Sequence, residues 1–143
     1  MKKLGLLTAA LLLTGVASAR ADVYTDCVDK ASNDEVIIAC MLNGAEDVYK
    51  VIERKYEELA NLDYFKGWNE GAGMFNGNFK NLLEEWTKYR DDYCSLYGYS
   101  STQGEGTLVR MENAECVLEL TKRQNKDITV ILNNYKQAIA NSN

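Results

Sequence analysis

The sequence predicts an all-α domain of three to four antiparallel helices, joined by two long loops and stapled by two disulfides. Three observations carry this prediction. Apolar residues recur every three or four positions over three long stretches, the repeat of a helix buried along one face. No stretch alternates convincingly as a half-buried strand does, and the chain contains no proline. Four cysteines, Cys27, Cys40, Cys94 and Cys116, lie behind an N-terminus of the export type, and an even count in an exported chain reads as a disulfide framework.

The N-terminus has the layout of a signal peptide. Lys2 and Lys3 form a basic region, Leu4 to Val16 an apolar one, and Ala17-Ser18-Ala19 and Ala19-Arg20-Ala21 are both small-residue cleavage sites. Cleavage is expected after Ala21, leaving residues 22–143 as a single domain; cleavage after Ala19 is the alternative. The apolar region is shorter than a membrane span requires, and no cysteine follows it to carry a lipid. The expected location is periplasmic or secreted, with no membrane insertion after cleavage. The whole chain carries a net charge of −5; removing Lys2, Lys3 and Arg20 and no acid leaves 13 basic against 21 acidic residues, a net charge of −8. Nucleic acid and anionic lipid are poor partners for such a surface, whereas a cationic protein is drawn towards it.

The elements follow in order. Asp22 to Ala31 is a short segment leading into Cys27. Ser32 and Glu35 have the spacing of a capping box, and Ile37, Met41, Ala45, Val48, Ile52, Tyr56 and Leu59 continue at helical spacing, predicting a helix from about Asp34 to Ala60. The segment Asn61 to Gly77 breaks the pattern, with four glycines among Tyr64, Phe65, Trp68 and Phe75. It reads either as a flexible connection whose aromatics tuck onto the core or as an aromatic loop that inserts into a partner, with Tyr64, Phe65 and Trp68 as candidate contacts. A second helix is predicted from Asn78 to about Leu96, with Phe79, Leu82, Trp86, Tyr89 and Tyr93 as its core face. Gly98 to Gly106 is polar and reads as a loop, the alternative place for partner contacts. A third helical pattern runs from Leu108 to about Ala140, with a bend or break expected in the polar stretch Thr121 to Asp127. Three pairings of the four cysteines are possible; the local one, Cys27–Cys40 with Cys94–Cys116, is expected.

Little in the chain can carry chemistry. It has no histidine, which removes the commonest general base and metal ligand at neutral pH, and with it Ser-His-Asp and Cys-His catalysis. The cysteines lack CxxC spacing, so neither a metal nor another cofactor is expected. The doublets Glu57-Glu58, Glu84-Glu85 and Asp91-Asp92 point about 100° apart on a helix, and not at each other across a cleft as glycoside hydrolysis requires. Gly71-Ala72-Gly73 follows no strand and precedes no Lys-Ser/Thr pair, so it is not a phosphate loop. A non-enzymatic binding protein is the expectation. Arg90-Asp91, beside the aromatic residues and Cys94, reads as a local clamp made by charge-assisted hydrogen bonds.

The ordered set of motifs resembles a known family. Trp86-x-x-x-Arg90-Asp91-x-x-Cys94 is similar to a signature of the LprI-like family of small exported bacterial proteins. Asp26-Cys27 followed by Glu35 and Cys40 resembles that family's opening motif, Tyr56-x-x-Leu59 its second, and Cys116 followed by Leu120-Thr121 its closing one. The chain departs from the pattern at Gln124, where the family has an arginine three after the threonine, and at Leu83, where it has a glutamine three before the tryptophan. The resemblance implies an all-helical exported protein, a structural role for Trp86, Arg90, Asp91 and Thr121, and inhibition of a cationic lysozyme as the candidate activity. The alternative it leaves is a structural or interaction protein of the bacterial envelope with no inhibitory activity.

Overall fold

The computed structural model describes residues 25–62, 78–102 and 106–142. The described residues are helical almost throughout. A short α1 is described over residues 25–29, followed by α2 (Asp34–Ala60), α3 (Phe79–Thr102) and α4 (Thr107–Asn141). The expected cleavage site and the candidate contacts Tyr64, Phe65 and Trp68 lie outside the described residues.

Each long helix has an identifiable start. Asn33, in extended conformation, caps α2 by accepting the Val36 amide on its side-chain oxygen at 3.1 Å. The cap therefore sits one residue later than the expected Ser32, and Glu35 is free to pair with Arg110 of α4 instead of closing a capping box. Asn78 accepts the Asn81 amide at 3.0 Å at the head of α3. Gly106 precedes α4 with φ of +120°, a conformation that disfavours any side chain, and no side chain caps that end.

Contacts along the helices fix their order and direction. Lys136 pairs with Glu58 at 2.5 Å, while Arg110 pairs with Glu35, so α2 and α4 run parallel. On α3, Arg90 meets Thr121, Cys94 meets Cys116 and Gly98 meets Val109, so α3 runs antiparallel to α4. Helix α4 packs along both other helices, which touch each other only narrowly. The result is an up-down-up bundle with α4 as its spine.

The core has two ends. One gathers Ile52, Tyr56, Leu59, Phe79, Leu83, Ile128 and Leu132, with Trp86 and Tyr49 half-buried against it. The other gathers Ile38, Met41, Ala45, Cys94, Ala114, Val117 and Leu118. Burying a large apolar side chain contributes about 1.5–3 kcal/mol, so these clusters supply most of the driving force for the fold. Both bridges sit at or beside the second end. Cys27–Cys40 ties α1 to α2 with Cα atoms 5.8 Å apart, and Cys94–Cys116 ties α3 to α4 at 5.5 Å, which is the local pairing expected from the sequence.

Three expectations are corrected. The predicted core face of α3 holds for Phe79 and, in part, for Trp86, but Leu82, Tyr89 and Tyr93 are exposed. The inward stripe is Phe79, Leu83, Trp86, Arg90 and Cys94, also at steps of three and four, and the bridge from Cys94 to α4 sets which of the two stripes turns inward. Residues 98–102, read as loop, continue α3. Gly98 is there because a Cβ at that position would stand 2.9 Å from the Val109 carbonyl oxygen, and Ser100 donates to the Tyr97 carbonyl at 2.9 Å. Finally, α4 runs unbroken through Thr121 to Asp127. Its polar residues there bond to the neighbouring helices: Thr121 to Arg90, Gln124 to Tyr56 and Asn125 to Lys55.

Candidate functional site

Arg90 occupies the centre of the bundle, and its side chain is only 11 % exposed. Its guanidinium lies 5.3 Å from the Trp86 ring centre on one side and 5.8 Å from the Tyr49 ring centre on the other, within cation–π range of both. Nε donates to Asp91 Oδ1 at 2.8 Å, and Nη2 stands 2.7 Å from the same oxygen. Nη1 donates to Thr121 Oγ1 at 3.1 Å. Thr121, fully buried, donates a hydrogen bond from its hydroxyl to the Val117 carbonyl oxygen at 2.6 Å. One side chain thus links all three long helices and leaves no charge unpaired in the interior, the arrangement in which a buried cation is tolerated.

A second cross-link lies further along the same helices. Gln124 donates to the Tyr56 hydroxyl at 2.8 Å. Burial pushes the Tyr56 phenol above its ordinary pKa of 10.0, and the hydrogen bond from Gln124 acts in the other direction. Lys55 reaches Asn125 at 2.6 Å and also bonds to Thr129; burial lowers its pKa. Neutral amide and hydroxyl partners take two of its three donors, so this contact joins α2 to α4 by hydrogen bonding.

Beside Arg90 a groove of about 350 Å³ opens to solvent, with Leu42, Ala45 and Val117 as apolar lining and Glu46, Asp91, Ser95 and Asn113 as polar lining. Among the described residues no cluster of acids or cysteines could hold a metal ion. None of the described helices is long and apolar enough to cross a membrane.

The outer side of α3 is different in kind. Tyr89, Tyr93 and Tyr97 stand one helical turn apart, with ring centres 5.8 and 6.4 Å from one to the next and ring planes within 26° and 19° of parallel. They form a stacked ladder on the surface.

Residues 27–128 match the family model of the lysozyme inhibitor LprI. The chain belongs to the LprI family. Both bridges and the whole Arg90 cross-link fall within the matched span, so the features that hold this LprI-family bundle together are inside the family's own boundaries. No curated protein and no solved structure matches the chain.

The structure brings Trp86, Arg90, Asp91 and Thr121 together and places the Cys94–Cys116 bridge one helical turn beyond Arg90 along α3. Sequence reasoning missed Tyr49, which carries no motif that would point to Arg90. It also missed the Gln124–Tyr56 contact, although Gln124 stands where the family has an arginine. The tyrosine ladder shows in the sequence as a spacing of four at Tyr89, Tyr93 and Tyr97, but the helical periodicity of α3 predicts Tyr89 and Tyr93 on its core face.

Proposed function

We propose that this chain is an exported, non-enzymatic binding protein that inhibits a lysozyme by capping it. The observation that carries the reading is the match of residues 27–128 to the lysozyme inhibitor LprI family. Charge supports it. A chain of net charge −5, or −8 once residues 1–21 are removed, attracts a strongly cationic enzyme and accelerates the encounter. Architecture supports it as well, because a doubly bridged bundle offers a rigid surface that loses little freedom when it binds. Tyr64, Phe65 and Trp68, on the connection between α2 and α3, are proposed as contacts because aromatic side chains dominate the energetics of protein interfaces.

The test is residual lysozyme activity in the presence of purified mature protein, at low and at moderate salt. Inhibition at micromolar protein that weakens as salt rises is the expected result. Absence of inhibition in both conditions rules the reading out.

A further inference from the structure

We propose that the Tyr89–Tyr93–Tyr97 ladder on α3 is the surface that grips the cationic partner; this rests on the inhibitor reading and names where the partner's basic side chains dock. Tyr89 is 60 % exposed, Tyr93 43 %, Tyr97 44 % and the adjoining Leu96 69 %. Four large residues this open on one helix are an exposed apolar stripe, which soluble proteins retain chiefly where something binds. The rings hold one another in place by stacking, so their order is established before a partner arrives. None of the three hydroxyls has a hydrogen-bond partner among the described residues, so all are free to meet one from outside.

The charge around the ladder selects the kind of partner. Every basic side chain on α3 is engaged: Lys80 with Glu84 at 3.8 Å, Lys88 with Asp92 at 2.5 Å, and Arg90 with Asp91 in the interior. Glu85, one turn before Tyr89, has no ion-pair partner among the described residues and is left as the uncompensated charge at the ladder's edge. The ring faces left open at the ends of the stack, beside a free carboxylate, suit lysine and arginine, which gain from the ring quadrupole and the negative charge together. A second copy of this chain would bring the same negative sign, net −5, against that edge. The occupant is therefore a cationic protein surface.

The experiment measures inhibition of a cationic c-type lysozyme by the mature protein, its Tyr89→Ala/Tyr93→Ala variant, its Tyr89→Phe/Tyr93→Phe variant and Glu85→Lys. Melting curves confirm that each is folded, as expected for exposed positions. The alanine pair is expected to inhibit about tenfold or more weakly. The phenylalanine pair should retain most of the effect through its ring faces, and Glu85→Lys should weaken inhibition most at low salt. If the alanine pair inhibits as well as the unaltered protein, the ladder is not the contact, while the inhibitor reading stands. If the unaltered protein does not inhibit, both fall. If sedimentation shows a dimer of the unaltered protein that the alanine pair abolishes, the ladder's occupant is a second copy and the proposal is overturned.

Discussion

On its inward side α3 presents Phe79, Leu83, Trp86, Arg90, Cys94 and Gly98, and each meets a different kind of neighbour: an aromatic edge, an aliphatic cluster, a guanidinium, two rings and a hydroxyl, a sulfur, and a backbone carbonyl. On its outward side it presents Tyr89, Tyr93 and Tyr97, and these meet one another. The spacing along the two stripes is nearly the same. The contrast teaches that the inward stripe is specified one position at a time, whereas the outward stripe repeats a single chemistry and stays exposed. Substitutions on the two sides should separate accordingly.

Removing the bridge should do the most damage. Cys94→Ser opens a link spanning 22 residues and strands Cys116, and a loss of about 3 kcal/mol is expected in denaturant unfolding under oxidising conditions. An unchanged melting temperature there would show that the bridge does not form. Arg90→Ala follows, at about 2 kcal/mol, because it removes a charge-assisted hydrogen bond to Thr121 together with the packing between Trp86 and Tyr49. Gly98→Ala should cost about 1 kcal/mol: the new methyl group would meet the Val109 carbonyl oxygen at 2.9 Å, offset in part by alanine's better helix propensity. A gain in stability at this position would mean that α3 and α4 are less tightly apposed near Gly98. Asp91→Asn should cost less than about 1 kcal/mol, since Asp91 is 55 % exposed and its pairing is screened by water. Tyr93→Ala should stay within about 0.5 kcal/mol of the unaltered protein. A larger loss in its thermal unfolding would place the ladder among the parts that hold the fold, and the contrast between the two sides would fail.

How much was legible beforehand follows from the same physics. Periodicity located α2 correctly from Asp34 to Ala60, because Ile37, Met41, Ala45, Val48, Ile52, Tyr56 and Leu59 form the one apolar stripe that helix offers. On α3 two stripes compete. Spacing cannot say which is buried when the choice depends on Cys94 bridging to another helix and on Arg90, a charged residue that no apolar count places inside. The polar stretch of α4 misled for a related reason. Thr121, Gln124 and Asn125 look too polar for a buried helix face until the groups facing them from α2 and α3 are known. The family motifs were readable as a set because they mark the residues that cross between helices. Of the proposed binding surface only the spacing of four was readable, since exposure is a property of the packed bundle and not of any one segment.

The two bridges close rings that neither overlap nor nest: one spans residues 27–40, the other 94–116, and residues 41–93 lie between them. Oxidative folding therefore has no required order. A chain entering an oxidising space N-terminus first can seal Cys27–Cys40 while Cys94 is still behind it, with only Cys27 and Cys40 present to choose between. The later ring then has two thiols left and one way to join them. A layout of this kind reaches its native connectivity without shuffling through wrong pairings, provided that oxidation keeps pace with the emergence of the chain.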